Sequence, residues 1–293
     1  MTVTYILQDS VNSLFGTNIS SVSEMTEWLD QRRPKYCDKR DLINGEEMSL
    51  CRVGSDLYEK IFKYYTKKQW DKYPIELDAS VLARLPVRLT KEERYFNDPY
   101  EALPAKGYTN LFENMLLKNS NIDVRLNLNY FEVKNRLPKH KVLIFTGPID
   151  AFYADQGWDK LEYRSIFFEK EYLEPEDGYF QASWMVNYPS QEFDFTRIAE
   201  YKHMPNQPKG VKESKGTVIY REYSTNTGDP YYPVPNERNR ALYKKYQELA
   251  LKEPDVIFVG RLASYKYFNM DEAIKTALEL YDNLLPSIFK LNK

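Results

Sequence analysis

The chain has 293 residues, of which 42% are hydrophobic, so it can bury a sizeable core in one large unit or in two to three intertwined units. Its 41 basic and 43 acidic residues give a net charge of −2, and this balance excludes the strongly basic surface that nucleic-acid-binding proteins need. The opening residues MTVTYILQDS lack the basic and long apolar regions of a signal peptide, and no segment has the length of a membrane span.

The first third of the chain predicts helices. Ser21 and Glu24 have the spacing of a capping box at the start of SSVSEMTEWLDQRR. Val22, Met25 and Leu29 then fall on one face of the expected helix. A second helix is expected over SDLYEKIFKYYTKKQW, whose apolar and aromatic residues recur at helical spacing.

The middle of the chain predicts a change from helices to strands. After an expected helix over TNLFENML, the segment IDVRLNL alternates apolar and polar residues from Ile122 to Leu128, which is typical of a half-buried strand. The segment KVLIFTGPID carries a continuous apolar run from Val142 to Phe145, which indicates a fully buried strand of a parallel sheet.

Four strand-like runs follow between residues 161 and 223, at the spacing of an antiparallel meander. They read LEYRSIFFEK, YFQASWMVNY, DFTRIAEYKH and GTVIYREYS. The stretch MPNQPKGVKESKG before the last run is expected to be a surface hairpin loop. Alternating elements then return, with a helix from about Asn236 to Leu251, the buried strand DVIFVG and a last helix after Asn269. This ending resembles half of a nucleotide-binding fold.

The small numbers of cysteines, histidines and glycines exclude several chemistries. Cys37 and Cys51 form no CxxC pair, and their spacing indicates neither a disulfide framework nor a zinc site, so we expect reduced thiols in a cytoplasmic protein. His140 and His203 cannot form a multi-histidine metal site; a structural role is expected for each, and no metal is expected. The acidic residues leave a carboxylate pair for glycoside hydrolysis open, but no pair stands out. No two glycines are separated by a single residue, so the phosphate-cradling motif G-x-G-x-x-G does not occur.

Arginines and tyrosines in several local strings carry the strongest signal. YTKKQW is followed by Arg84 in ARLPVR, and then by RYFNDPY, NYPSQEFDFTRI, DPYYPV and GRLASYKYFNMD. In this order and spacing the strings closely resemble those of the UDP-galactopyranose mutases, from about residue 45 to residue 285. The resemblance implies an isomerase that interconverts UDP-galactopyranose and UDP-galactofuranose for polysaccharide or cell-wall synthesis. It also implies FAD as the cofactor, active in its reduced form through an adduct between flavin N5 and the sugar.

The resemblance assigns site residues one by one. Arg84 matches an arginine on the family's mobile loop, and Arg197 matches a second arginine that clamps the diphosphate; both are implied to be catalytic, because planar guanidinium groups neutralise a diphosphate with paired hydrogen bonds. The residues implied to bind substrate are Tyr65, Thr66, Trp70, Tyr95, Asn187, Tyr232 and Tyr267. The residues implied to lie near the flavin are Glu222, Arg261, Asn269 and Met270. Asn269, with Glu272 three residues later, can also cap the last helix, whose N-terminus would favour negative charge on a reduced flavin.

The expected fold is a mixed α/β fold with an incomplete FAD-binding Rossmann-like parallel sheet, a helical domain and an antiparallel sheet domain. A residual strand or extended segment is expected at 1–20, followed by a helical domain with a mobile substrate loop at 21–105. The remaining part of the FAD-binding domain is expected at 106–150 and 252–293. A substrate-binding antiparallel sheet is expected between these two parts, at 151–251.

The family pattern and this sequence differ at the start of the chain. Family members begin with a strand, a glycine-rich turn and a helix that bind the FAD pyrophosphate, and here Met1 falls after that region. The parallel strands would then have an exposed edge and apolar faces, so we expect instability, a homodimer or a complementing N-terminal chain. Three interpretations stay open: a mutase whose N-terminal part is missing from the recorded sequence or supplied by another polypeptide, a non-catalytic UDP-sugar binder, and a flavin oxidoreductase of related fold. The substrate motifs and Arg261 favour the first.

Overall fold

The computed structural model describes residues 7–92, 94 and 96–283, and it confirms a mixed α/β fold with a small parallel and a larger antiparallel sheet. The α-helices are α1 Gln8–Phe15, α2 Val22–Asp30, α3 Gly45–Leu57, α4 Lys63–Trp70, α5 Ala79–Ala83, α6 Gly107–Leu116, α7 Tyr130–Val133, α8 Ile149–Phe152, α9 Lys209–Lys212, α10 Glu237–Ala250 and α11 Met270–Asn283. The strands are β1 Leu143–Phe145, β2 Tyr163–Leu173, β3 Met185–Asn187, β4 Arg197–Ala199, β5 Thr217–Thr225, β6 Tyr232–Pro233 and β7 Val256–Phe258.

The N-terminal segment is helical where a strand or extended segment was expected. Helix α1 ends at Gly16, whose φ of 63° stops the helix in the left-handed region. Val11 is fully buried in the helical core, and the side-chain amide of Gln8 donates to the carbonyl of Leu89 at 2.7 Å. The expectation for 1–20 is therefore wrong over Gln8–Phe15, because contacts with residues far along the chain stabilise the helix.

Helix α2 begins as predicted. The Ser21 hydroxyl accepts from the Glu24 N–H, and the Glu24 carboxylate accepts from the Ser21 N–H, which completes the capping box. Met25 and Leu29 are fully buried, whereas Val22 in the first turn is 48% exposed.

The second predicted helix is divided. Gly54 within α3 has a φ of 76°, and a Cβ at this position would lie 2.5 Å from the Cβ of Arg32, so only glycine permits the close approach. A π-helical turn at Tyr58–Phe62 then leads into α4. Leu57 and Phe62, two of the apolar residues in this segment, are both buried.

Cys37 and Cys51 form a disulfide, which contradicts the expectation of reduced thiols. The chain after α2 folds back onto α3 and brings the two Cα atoms within 5.4 Å. This approach is a tertiary contact that the spacing of the cysteines does not reveal. The cysteines therefore no longer support the expectation of a cytoplasmic protein.

The small parallel sheet pairs β1 with β7, as the two apolar runs predicted. Phe145 is buried in an aromatic cluster with Phe152 and Phe258. Ile144 is 44% exposed, so the strand is not fully buried as expected. Helices α6 and α11, elsewhere in the described chain, contain no buried residue.

Residues 122–128 form no strand, which contradicts the prediction from their alternating pattern. Ile122, Leu126 and Leu128 are all exposed, and Leu126 is 78% exposed. Alternation alone does not make a strand, because a strand also needs a neighbour that accepts its backbone hydrogen bonds, and none of the described residues pairs with this segment.

The antiparallel sheet has the strand order β3-β4-β5-β2-β6. The first expected run, β2, therefore lies between β5 and β6 and not beside β3, so the simple meander is wrong for this strand. β2 pairs with β5 over a long register, from Ser165–Thr225 to Leu173–Thr217. This pairing, and not the closeness of β2 to β3 along the chain, determines the place of β2 in the sheet. The stretch 204–216 does connect the neighbouring strands β4 and β5 as a hairpin loop, with the short helix α9 inside it.

The last two helices match their predictions. The side chain of Asn236 accepts from the Asn239 N–H and caps α10. The Glu272 carboxylate accepts from the Asn269 N–H at 2.8 Å at the start of α11. His140 and His203 each lie within hydrogen-bond distance of a backbone carbonyl, which agrees with structural roles.

Two apolar cores hold the described residues together. One core joins α1 to α5 and includes Val234 beside β6. The other packs Ile149 and Tyr153 against α10, and it includes Tyr265, whose hydroxyl donates to the carbonyl of Glu162 at 2.5 Å. Within the described ranges, no helix is long and apolar enough to cross a membrane, and no cluster of His, Cys, Asp and Glu could hold a metal ion.

Candidate nucleotide-sugar site

A cavity of about 490 Å³ lies between the helical part and the antiparallel sheet. Residues of α4 and α5 form one wall, β3 and β4 contribute the opposite wall, and the segment before α11 closes one end. The predicted site residues on its surface are Tyr65, Thr66, Trp70, Arg84, Asn187, Arg197, Tyr232, Tyr267 and Asn269. The fold thus brings together residues that are as much as 204 positions apart in the sequence, from Tyr65 to Asn269.

Arg197 is held by a buried carboxylate on the neighbouring strand. Arg197 on β4 is the register partner of Glu222 on β5, and its Nε donates to a Glu222 carboxylate oxygen. Its Nη2 donates to the hydroxyl of Tyr232 at 3.1 Å. Burial works to lower the pKa of Arg197, but Tyr65, Glu222 and Tyr232 together raise it above its usual value. Arg197 therefore stays a fixed cation.

Two tyrosine hydroxyls flank this cation. Tyr65 donates to the side-chain oxygen of Asn187 at 3.4 Å. Burial raises the pKa of Tyr65 and of Tyr232, and the charge of Arg197 opposes the rise at both. Both hydroxyls therefore remain protonated at neutral pH and can donate hydrogen bonds.

Arg84 and Arg261 both lie against a pair of stacked tyrosine rings. The rings of Tyr232 and Tyr267 are stacked, with centroids 5.6 Å apart. The Arg84 guanidinium carbon lies 3.3 Å from the centroid of Tyr267, and that of Arg261 lies 4.2 Å from the same ring. Cation–π contact positions both guanidinium groups without neutralising them.

The cavity has an excess of positive charge. Among the described residues, neither Arg84 nor Arg261 has an acidic partner within ion-pair distance, and the lining contains no Asp or Glu. Glu222 is the one carboxylate against the arginine cluster, and it is committed to Arg197. Three guanidinium groups thus face one carboxylate, an arrangement that favours a ligand with at least two negative charges.

The helical wall of the cavity is apolar and contains one unpaired amide. Its apolar members are Ile61, Phe62, Val81, Leu82, Leu85 and Pro86. Trp70 is only 4% exposed and meets the Tyr232 ring edge-on at 6.0 Å. Gln69 lines the same cavity, and its buried Nε2 has no hydrogen-bond partner among the described residues. Sequence reasoning did not single out Gln69, although it lies inside the YTKKQW string, next to Trp70.

The remaining predicted residues lie elsewhere. Glu222 is buried behind Arg197, and Met270 is exposed at the start of α11. Arg261 lines a shallower adjoining cavity that shares Tyr232 and Tyr267 with the first. Its Nε donates to the carbonyl of Tyr231 at 3.0 Å and its Nη1 to the carbonyl of Phe268 at 2.7 Å, so it also braces this end of the site. Tyr95 lies outside the described residues.

Comparison with known proteins gives several similar chains. A probable UDP-galactopyranose mutase of Klebsiella pneumoniae is 38% identical over 246 residues, which are 83% of this chain and 61% of that protein. The dTDP-fucopyranose mutase of Escherichia coli is also 38% identical, over 241 residues, which are 80% of this chain and 62% of the relative. The chain therefore spans about three fifths of the length of these curated relatives.

A solved structure and a family model agree with these relatives. A crystal structure of reduced UDP-galactopyranose mutase matches with a TM-score of 0.63 and 16% identity, covering 89% of this chain and 72% of the other, which shows a shared fold. The family model described as UDP-galactopyranose mutase matches residues 60–267, which include every predicted site residue except Asn269 and Met270. This match extends over more than half of the sequence, and the chain accordingly belongs to the UDP-galactopyranose mutase family.

Proposed function

We propose that the site binds a nucleoside-diphosphate hexose, with UDP-galactose as the first candidate, and takes part in its ring-form interconversion. The observation that carries this proposal is the cluster of Arg84, Arg197 and Arg261 around two tyrosines at the edge of an apolar cavity. A diphosphate is the part of such a ligand that needs several fixed cations, and the planar guanidinium groups can bind its oxygens in pairs.

The apolar wall suits the other end of the ligand. A nucleobase is flat, with hydrogen-bonding groups at its edge, so it fits between the helical wall and Trp70. The unpaired Nε2 of Gln69 would donate to a base carbonyl, which would remove the cost of leaving a buried donor unsatisfied. Thr66 and Asn187 add polar groups on the same surface.

The fit to FAD is partial. Arg261, Asn269 and the N-terminus of α11 would border the flavin ring, because they lie on the side of Tyr267 where the two cavities adjoin. The described residues contain no glycine-rich phosphate cradle, so residues outside them or a second polypeptide would hold the cofactor's phosphates. When bound, reduced FAD would supply the nucleophile for the anomeric carbon of the sugar.

The residues of this chain would contribute binding and electrostatics. Arg84 and Arg197 would hold the diphosphate while its bond to the sugar breaks and re-forms, which stabilises the negative charge that develops on the leaving phosphate. The hydroxyls of Tyr65 and Tyr232 would donate to the same oxygens. Glu222 would hold Arg197 in place and would not need to contact the ligand.

A second candidate function is binding of a nucleotide sugar without catalysis. It is favoured by the difference between the two parts of the site, since the described residues line a cavity, while none of them forms a cradle for the cofactor phosphates. A homodimer or a complementing chain that supplies this cradle would instead support the mutase. Both functions require the same nucleotide-diphosphate cavity.

The decisive experiment measures nucleotide binding and flavin binding separately. The purified chain is titrated with UDP and with dTDP by calorimetry, with and without added FAD, and its absorbance is recorded for bound flavin. The mutase proposal expects UDP binding, flavin binding, and conversion of UDP-galactofuranose to UDP-galactopyranose after reduction with dithionite. UDP binding without flavin would support the non-catalytic binder, and stronger binding of dTDP would shift the substrate to a thymidine nucleotide. Absence of binding by either nucleotide would contradict both functions.

A further inference from the structure

Lys68 occupies an unusual position behind the cavity. It lies on α4 between Thr66 and Trp70, and its ammonium group reaches the loop of residues 188–196 that joins β3 to β4. The ammonium donates to the carbonyl of Tyr188, and it lies 2.9 Å from the carbonyl of Ser190 and 3.0 Å from those of Phe193 and Phe195. Four backbone oxygens of one loop thus converge on a single side-chain atom.

This arrangement depends on the positive charge. Four carbonyl dipoles that point at one another repel unless a cation lies between them, and removing the ammonium would leave several partly buried acceptors unsatisfied. No carboxylate among the described residues forms an ion pair with Lys68, so the carbonyl oxygens are its main partners. Burial lowers the pKa of Lys68 to about 8, which leaves the ammonium form predominant at neutral pH.

The tethered loop connects directly to the site. Its two ends carry Asn187 on β3 and Arg197 on β4, and Pro189 within it lines the cavity. Residues 191–194 at its tip are exposed, so little else covers this part of the loop. One turn before Lys68 on the same helix, Tyr65 donates to Asn187. A single stretch of α4 therefore contacts both one end of the loop and its middle.

The C-terminal end of α4 is itself fixed to the sheet. Arg164 on β2 donates from Nε to the carbonyl of Gln69 at 3.0 Å and from Nη2 to the carbonyl of Lys68 at 3.4 Å. The hydroxyl of Ser224 on β5 also donates to the carbonyl of Gln69 at 2.5 Å. Because its backbone is anchored in this way, Lys68 can hold the loop at a defined distance from the sheet.

We propose that Lys68 is a positioning residue whose ammonium group fixes the β3–β4 loop against α4 and thereby sets the places of Asn187 and Arg197 in the nucleotide site. The part of this inference that concerns ligand affinity rests on the proposed function. The part that concerns the loop does not, because the order of the loop can be measured without any ligand.

The test replaces Lys68 with Ala and measures two properties of the full chain. Hydrogen exchange followed by mass spectrometry should show at least about tenfold faster exchange of the Tyr188 and Thr196 amides, which donate to backbone carbonyls at the two ends of the loop. UDP should bind about tenfold more weakly, since each orphaned, partly buried acceptor costs on the order of a factor of ten. Lys67→Ala is the matched control, because this neighbouring lysine pairs with Asp71 on the exposed side of α4 and contacts no part of the loop. It should leave both properties unchanged.

Chemical rescue distinguishes positioning from a general loss of packing. Adding methylammonium to Lys68→Ala should restore slow exchange and UDP affinity, because its N–H groups can replace the missing ammonium, whereas tetramethylammonium, which has no N–H, should restore neither. Normal exchange in Lys68→Ala would overturn the proposal, and so would equal rescue by both cations.

Two further outcomes are also decisive. If Lys68→Ala does not fold, Lys68→Met, which keeps the apolar stem, replaces it. Loss of folding in both variants would overturn a positioning role. If the unaltered chain binds no UDP, the proposed function fails, while the exchange rates of 188–196 still decide the role of Lys68.

Discussion

Two regions of this protein have similar amphipathic sequences and very different packing. In the region that holds the cavity, α1 to α5 cover one another, and Val11, Met25, Leu29, Val53 and Leu57 are fully buried. Helices α6 and α11, by contrast, have no buried residue, and the apolar side chains of Phe112, Met115, Ile274 and Leu278 are exposed. The difference shows that an apolar face indicates that a helix can pack against a partner, whereas its burial depends on whether another part of the structure covers that face.

The parallel sheet is also small. Parallel sheets are usually covered on both faces and contain more than two strands, because two strands cannot bury enough apolar surface. Here the described residues supply only β1 and β7. We expect further strands, from this polypeptide or another one, to pair with this sheet.

The largest effect on stability and on UDP binding is expected at Arg197, in the region that holds the cavity. Arg197→Ala should abolish measurable UDP binding and lower the free energy of unfolding by about 3–5 kcal/mol, because it leaves the buried Glu222 carboxylate unpaired. Urea unfolding and calorimetry measure the two effects. The double variant Arg197→Met with Glu222→Gln should recover most of the stability but no UDP binding. If the double variant bound UDP with full affinity, the assignment of Arg197 to the nucleotide site would be wrong.

A matched pair of leucines tests the difference between the regions directly. Leu29→Ala should lower the free energy of unfolding by about 2–5 kcal/mol, since Leu29 is 0% exposed, whereas Leu278→Ala should change it by less than about 0.5 kcal/mol, since Leu278 is 60% exposed. Both are measured by urea unfolding. Equal losses would mean that the surface of α11 is covered in solution, for example by a second copy of the chain.

The disulfide should stabilise the helical region of α1 to α5 and should not affect nucleotide binding. Replacing both Cys37 and Cys51 with Ser should lower the free energy of unfolding by about 3 kcal/mol, because the bond closes a loop with a sequence separation of 14. UDP affinity should not change, because neither cysteine lines the cavity. A weaker UDP affinity at unchanged stability would show that this region and the site are coupled.

The smallest effect on folding is expected at Arg84. Arg84→Ala should weaken UDP binding by about ten- to a hundredfold, the usual range for a charged hydrogen bond, and should leave stability nearly unchanged because Arg84 has no described ion-pair partner. The exposed Arg125, which pairs with Asp123, offers a matched control, and Arg125→Ala should alter neither property. Undiminished affinity in Arg84→Ala would show that the loop after α5 does not contact the diphosphate.

Local features of the fold were predictable from the sequence. The capping box of Ser21 and Glu24, the Asn236 cap of α10 and the apolar runs of β1 and β7 depend on residues that are close together in the chain, so their patterns indicate them reliably. The same holds for the strings that carry Tyr65, Arg84, Arg197 and Tyr267, which the fold gathers into one cavity.

Other features required the tertiary structure. The sequence could not show that Cys37 meets Cys51, that β2 lies between β5 and β6, or that residues 122–128 lack a pairing strand. Nor could it show that Glu222 lies behind Arg197, or that Lys68 holds a loop more than 120 residues away. By itself the sequence determined the caps of α2 and α10, the two parallel strands and the chemical groups of the site, because hydrogen bonds and side-chain spacing within a few residues fix those. The tertiary structure alone decided which of these groups became buried, paired or exposed, because that depends on contacts between segments that are distant along the chain.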